Sequence, residues 1–393
     1  MINTQLIMVD TSKLIRACFE KKSFNELSID KKELLNIALS GDMQYLLLYP
    51  LLKNETDIEF ADKIRDILKH ITFIAYAQAT CAKQITELFE KEKLRHQLLK
   101  GSVIKNIYPA PEMRQMSDVD IIIFDESLDR AAKLLESKGY VNRGLEKHHM
   151  IFTSPFGVCV ELHWCLYDQN VDYGQYLYFK DTFRSRLVEN LSYTYEFGVE
   201  DFYIYMIAHM AKHFFETGCG IRNLLDIYVY TKKYDKQMDE RYLTGELKKC
   251  GLYDFEKNMK VLSYIWMEQR ECPTFFENLF EYMVQCGIYG ERKNGVWGQL
   301  AKETEGNKAI SKIRYYFPSI DFMKEKYPWL SDKSFLLPIA WILRGTSGMW
   351  SSQSGEHAQL IKRADKSEIE KMLEIYHRMN LDFRKYSKET KSE

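Results

Sequence analysis

The sequence predicts an α+β fold: a mixed sheet with helices, flanked by helical regions at the N- and C-terminal ends. Three observations predict it. Residues 1–98, and the residues after 200, carry apolar side chains at helical spacing. The character changes at Lys100, where KGSVIKNIYPAPEMRQ brings Gly101, Pro109 and Pro111 and the chain must turn repeatedly. Two short apolar runs follow, SDVDIIIFD and VCVELHWCL, and both read as buried strands. The chain therefore divides into an N-terminal helical region (1–98), an α/β core (99–195) and a C-terminal helical region (196–393).

The elements follow in order. In SIDKKELLNIAL, Ser28 and Asp30 are N-cap candidates ahead of a helical apolar pattern. Residues 61–99 form one long amphipathic stretch without Pro or Gly, with Ile64, Ile67, Leu68, Ile71, Ile85, Leu88 and Phe89 among its apolar positions. After the first strand, DESLDRAAKLLESKGY predicts a helix with its C-cap at Gly139. A strand is expected over 147–153, then a turn at Pro155, Phe156 and Gly157, then the VCVELHWCL strand, the two pairing antiparallel. DFYIYMIAHMAKHFF and IRNLLDIYVYTKKY predict a helix pair separated by Gly218 and Gly220. KSEIEKMLEIYHRM predicts an amphipathic helix near the C-terminus.

Composition narrows the function. Lys and Arg number 55 against 56 Asp and Glu, a net charge of −1. That balance gives no general attraction to polyanions, so nucleic acid is not the leading partner. The 8 Cys include no CxxC pair, and no basic-then-apolar leader opens the chain, so they read as reduced thiols in a cytoplasmic protein. The most apolar stretch, 335–343, is too short to span a bilayer and contains Pro338.

The chemistry gathers around Gly101, Ser102, Asp118 and Asp120. Asp118 and Asp120 open a strand two residues apart, so they point to the same face. Two carboxylates that close repel each other unless a cation lies between them. Mg²⁺ prefers carboxylates together with phosphate oxygens, so the pair suits a two-metal clamp for phosphoryl or nucleotidyl transfer. Gly101 lets a backbone approach phosphate closely, and Ser102 adds a hydroxyl donor. In the later strand, Val158, Val160, Leu162 and Trp164 face one way, and Cys159, Glu161 and His163 the other. An acid within such an apolar strand needs a partner if buried. For Glu161 that partner is a metal, or a hydroxyl that it deprotonates.

With those residues in place, KGSVIKNIYPAPEMRQMSDVDIII followed by VELHW resembles the nucleotidyltransferase superfamily that includes DNA polymerase beta and the aminoglycoside nucleotidyltransferases. More narrowly it resembles the bacterial uncharacterised nucleotidyltransferase family, through Arg114 before DVDIII, His148 and His149, ELHW, and HMAKHF followed by IRNLLDI. The resemblance implies a nucleotidyltransferase-type sheet and two Mg²⁺ (or Mn²⁺) on Asp118 and Asp120, with Glu161 completing the metal site near the acceptor hydroxyl. It implies an NTP as substrate, with Ser102 on its triphosphate. The nucleotide-binding set expected here is Lys100, Gly101, Ser102, Arg114 and Lys212. The acceptor is an unidentified hydroxyl, on a small molecule or a protein. The alternative function is a catalytically weak nucleotide-binding scaffold, regulatory or antitoxin-like.

The competing readings are plain ones. The loop of 15 residues between Ser102 and Asp118 leaves the roles of Lys105 and Arg114 open. His163 is a site residue or a core histidine. His148 and His149 are adjacent in a strand, so at most one faces the site. His209 and His213 have i, i+4 spacing but no third zinc ligand at a recognisable distance in sequence. Lys212 is a phosphate ligand or a surface lysine. Arg222 and Asp226 read as a structural i, i+4 pair.

Overall fold

The computed structural model describes residues 3–288 apart from 25, 54, 125–126, 147–148, 168–172 and 181–183, and beyond them 290, 320, 323–324, 327–348 and 366–381. Four helices come first: α1 (Thr4–Glu20), α2 (Lys31–Ser40), α3 (Gln44–Leu52) and α4 (Ile58–Lys91). Asp30 caps α2 by accepting from the Lys32 and Glu33 amides, as the sequence suggests. Asp57 does the same for α4 through the Phe60 amide. At 34 residues, α4 is about 50 Å long.

The α4 helix stops earlier than its apolar pattern predicts. Lys93 takes a positive φ of 57°, and His96–Leu98 then form a strand, β1. Three residues are too few to show alternation, which is why β1 hides inside a helical pattern. The helix α5 (Lys100–Ile104) and two 3₁₀ turns lead to β2 (Asp118–Ile123). Then come α6 (Leu128–Ser137), β3 (Val141–Glu146), β4 (His149–Thr153), β5 (Cys159–His163), α7 (Tyr173–Phe179), β6 (Ser185–Leu187) and β7 (Thr194–Phe197). Lys147 and His148 lie outside the described residues.

The strands form a seven-stranded mixed sheet of order β3-β4-β5-β2-β1-β7-β6. β4 and β5 are antiparallel, as expected from the turn between them. β2 and β5 are parallel neighbours, although two other strands separate them in sequence. Their register sets Asp118 beside Cys159, Asp120 beside Glu161, and Ile122 beside His163. The strands β3, β6 and β7 carry no pattern that the sequence reading caught.

Alternation then gives each sheet face its character. Val119, Ile121 and Ile123 of β2 and Val160 and Leu162 of β5 pack against Ala82, Ile85 and Phe89 of α4 and Ala131 and Leu135 of α6. Each such buried Val, Ile, Leu or Phe side chain contributes about 1.5–3 kcal/mol. Trp164, expected on this face, lies beyond the end of β5 and is 40% exposed. The opposite face carries Asp118, Asp120, Glu161 and His163, and it meets the C-terminal helices.

Among the described residues the C-terminal region holds α8 (Val199–Glu216), α9 (Arg222–Tyr234), α10 (Glu240–Lys249), α11 (Tyr253–Glu268), α12 (Thr274–Cys286), α13 (Leu337–Gly348) and α14 (Lys366–Met379). The two ends of the chain share one core. Leu14 and Ile15 of α1 and Leu46 and Leu47 of α3 cluster with Phe214 of α8, Leu262 and Trp266 of α11, Phe280 of α12 and Ile375 of α14. The buried Trp266 indole donates to Thr11 Oγ1 at 3.0 Å, across 255 residues of sequence. The first half of α4 belongs to this helical core through Ile64 and Leu68, and its second half to the core beneath the sheet. No described helix is long and apolar enough to cross a membrane.

Candidate active site

Asp118 and Asp120 stand at the start of β2, which a short irregular stretch joins to the 3₁₀ turn at Pro111–Met113. Glu161 stands beside Asp120 because β5 runs parallel in that register. All three carboxylates line one cavity of about 370 Å³, a size within the usual range for small-molecule sites. Helices α8 and α9 form the facing wall. Tyr205, His209, Lys212 and Glu216 recur at three- and four-residue steps along α8, so one helical stripe looks into the cavity. Arg222, Asn223 and Asp226 of α9 complete it.

The three acids differ in environment. Asp120 is 1% exposed. Lys100 Nζ donates to its Oδ1 at 2.6 Å, and His163 Nε2 lies 2.8 Å from the same oxygen. Burial alone would raise this carboxyl, but Lys100 and His163 outweigh it and hold it far below the usual carboxylate range. Asp118 lacks such contacts. Burial, then the charges of Asp120 and Glu161, push its carboxyl up to about 6 against the opposing pull of Lys100. Glu161 is half-buried, with Oε2 3.3 Å from His163 Nε2 and Oε1 3.6 Å from His149 Nε2.

The cations answer this pattern. Burial opposes the charge on Lys100, but Asp120 and Asp118 overcome it and raise its pKa. Lys100 sits at φ +44°, a left-handed conformation that costs a residue with a β-carbon roughly 1–2 kcal/mol. The chain accepts that strain at the point where the side chain turns back to Asp120. Gly101 follows because of crowding: a β-carbon there would meet Met116 Cβ and Sδ at 3.1 Å. For His163, burial works against protonation, and the contacts to Asp120 and Glu161 more than offset it, so its pKa rises. His149, without the contact to Asp120, is shifted down by burial. Burial and then His213 hold His209 well below its ordinary value, and the two ring Nε2 atoms are 3.1 Å apart, a hydrogen bond.

The sequence-predicted residues divide on this geometry. Asp118, Asp120, Glu161, Lys100, Gly101, Arg114 and Lys212 line the same cavity. Ser102 does not. It lies behind Gly101, 9% exposed, and its Oγ has no hydrogen-bond partner among the described residues. Arg114 lines the cavity but is engaged elsewhere: its Nε and Nη2 donate to the two oxygens of Asp226 at 3.1 and 2.9 Å. Tyr108 donates to the same carboxylate at 2.7 Å. Asp226 is therefore the partner of Arg114, while Arg222 reaches Asp42 at 3.1 Å. The expected Arg222–Asp226 pairing gives way because the loop before β2 brings a planar guanidinium squarely onto the carboxylate. Lys105 is buried outside the cavity lining and donates to Gln78 Oε1 at 3.0 Å. Burial, then Arg114 and Arg222, push it down to about 8.

One result follows directly from the Arg114 geometry. Arg114→Ala is expected to cost about 3–5 kcal/mol of stability, because Asp226 stays buried without its counter-charge. Thermal and urea unfolding measure this. A variant that unfolds like the wild type would show that Arg114 is free to serve a ligand instead.

Of the two adjacent histidines that the sequence left open, His149 lines the cavity. It lies directly across from His163 in the β4–β5 register. Adjacent histidines in a strand signal that one faces the site, but only the register says which.

The chain belongs to the family of uncharacterised nucleotidyltransferases, whose model matches residues 28–268, more than half of its length. The match runs from the loop before α2 through the whole sheet to the end of α11. Membership supports nucleotidyl transfer as the general chemistry and an enzyme as the class of protein. No curated protein and no solved structure matches the chain.

Proposed function

We propose that the cavity binds a nucleoside triphosphate with divalent metal, Mg²⁺ or Mn²⁺, and transfers its nucleoside monophosphate to an acceptor hydroxyl. The observation that carries this reading is the register: Asp120 beside Glu161, with Asp118 on the same face, all three opening into one cavity. Three oxygen-donor carboxylates on neighbouring strands fit a magnesium-type ion, and a cation there would offset the burial and the neighbouring charges that raise the Asp118 carboxyl. Asp118, Asp120 and Glu161 would hold the metal. When bound, it supplies charge neutralisation at the triphosphate and orientation of the reacting oxygens.

The remaining chemistry falls to the chain's own residues. Lys100, released from Asp120 as positive charge arrives there, is placed to neutralise phosphate oxygens. Gly101 lets those oxygens come close to the backbone, and Lys212 offers a second cation from α8. Ser102 stays in this proposal as a triphosphate contact only if the ligand draws the α5 turn forward. The acceptor oxygen attacks the α-phosphorus, the bond to the bridging oxygen breaks, and pyrophosphate leaves with its electron pair. Glu161 takes the acceptor proton. His163 touches Asp120 and Glu161 and positions both. A cytoplasmic location belongs to the same proposal; all eight cysteines are free thiols.

The test is a screen of small-molecule and protein acceptors with labelled NTPs in Mg²⁺ or Mn²⁺, with Asp118→Asn as control. Label transfer by the wild type and none by the variant supports the reading. Metal-dependent NTP binding without transfer to any acceptor would favour the nucleotide-binding scaffold.

A further inference from the structure

We propose that His149, Glu161 and His163 form a transition-metal site at the edge of the cavity, distinct in chemistry from the carboxylate pair on β2. The three side chains share one face of the antiparallel β4–β5 pair. His149 lies directly opposite His163, and Glu161 is two residues from His163 on the same strand. Their donor atoms lie within 4.8 Å of one another. The Glu161 carboxylate spans the two rings, with Oε1 3.6 Å from His149 Nε2 and Oε2 3.3 Å from His163 Nε2. Two ligands bonded at about 2.1 Å to one ion, at octahedral or tetrahedral angles, lie roughly 3.0–3.4 Å apart. The cluster is thus close to ligand spacing, and small side-chain rotations would close it. All three residues line the cavity, so an ion can enter and keep open positions for water or substrate.

The donor set selects the metal. Two imidazole nitrogens and one carboxylate suit Zn²⁺, Co²⁺, Mn²⁺ or Fe²⁺, whereas Mg²⁺ prefers oxygen donors throughout. Binding requires an unprotonated Nε2 on both rings, so His163 would exchange its contact with Asp120 Oδ1 for the ion and shed or relocate a proton. The inference deepens the functional reading above, because Glu161 belongs to both groups. It gives the site one position for magnesium-type ions on β2 and one for a nitrogen-loving ion between β4 and β5.

The experiment uses the metal-free full chain without nucleotide. Co²⁺ is titrated and followed by its visible d–d absorption, and Mn²⁺ is added for pulsed electron paramagnetic resonance. The expected result is one tight Co²⁺ per chain, and nitrogen coupling on the bound Mn²⁺. His149→Ala should weaken Co²⁺ binding at least about tenfold, since even the loss of a group behind a ligand typically costs 10–100-fold. Unchanged Co²⁺ affinity in His149→Ala overturns the proposal. So does bound Mn²⁺ without nitrogen coupling in the wild type, a reading that needs no variant to fold. NTP binding in Mg²⁺ is measured separately, so failure there counts against the nucleotide reading and not against this site.

Discussion

Asp118→Asn and Asp120→Asn are expected to change stability in opposite directions, although the two residues share one motif and one strand face. Asp118 is the costly acid. Its carboxyl is held at about 6 against an ordinary 3.8. A carboxyl raised on folding favours the folded state fully only below its unfolded value, near pH 4. That contribution is lost as pH rises through about 6. At pH 8 the charged Asp118 then costs the folded protein roughly 2–3 kcal/mol. Asn keeps the shape and removes the charge, so Asp118→Asn should melt several degrees above the wild type at pH 8 and level with it near pH 4.

Asp120 is the opposite case. Its carboxyl is depressed, so its contribution is present above the ordinary carboxylate range and lost only in strong acid. Asp120→Asn strips the counter-ion from Lys100, whose side chain is only 23% exposed, and weakens the contact to His163. Breaking a buried pair in this way costs about 3–5 kcal/mol. Melting temperatures of both variants across pH 4–8 settle the matter. Two variants that move the same way would mean that the acids share one environment and that Lys100 does not discriminate between them.

Glu161→Gln is expected to lower turnover at least tenfold while leaving the fold nearly intact. Glu161 is half-buried, and its partners are imidazoles that an amide can also meet. As the group proposed to take the acceptor proton, it should contribute on the order of 10²–10⁴-fold. If it instead only holds metal, part of the loss should return at high metal concentration. Turnover and melting temperature are measured together. Undiminished turnover removes Glu161 from the reaction, and a collapsed melting temperature with normal activity per folded molecule makes it a structural acid.

Much of the site could be read from local spacing. Asp118 and Asp120 share a face because strand side chains alternate, and the same rule separates Glu161 from Val160 and Leu162. What spacing could not supply was register and long-range pairing. Lys100 meets Asp120 across 20 residues, and Arg114 meets Asp226 across 112. Arg114, expected from the sequence to bind nucleotide, is paired with Asp226 in the fold. His149 gained its place only through its strand partner. The helical regions were readable from their periodicity, but not that α1 and α3 close one core with α11 and α12. Short strands such as β1 and β6 carry too few residues to show a period.

If this cavity binds a nucleoside triphosphate through metal on its carboxylates, its affinity for the nucleotide depends on the ion. Calorimetric titration of the wild type with NTP, once in Mg²⁺ and once in EDTA, tests it most directly. Three carboxylates facing a triphosphate repel it in the absence of a cation. Binding in Mg²⁺ is expected to be at least about tenfold tighter than in EDTA, a difference of roughly 1.4 kcal/mol or more. Equal affinity in the two buffers would contradict it.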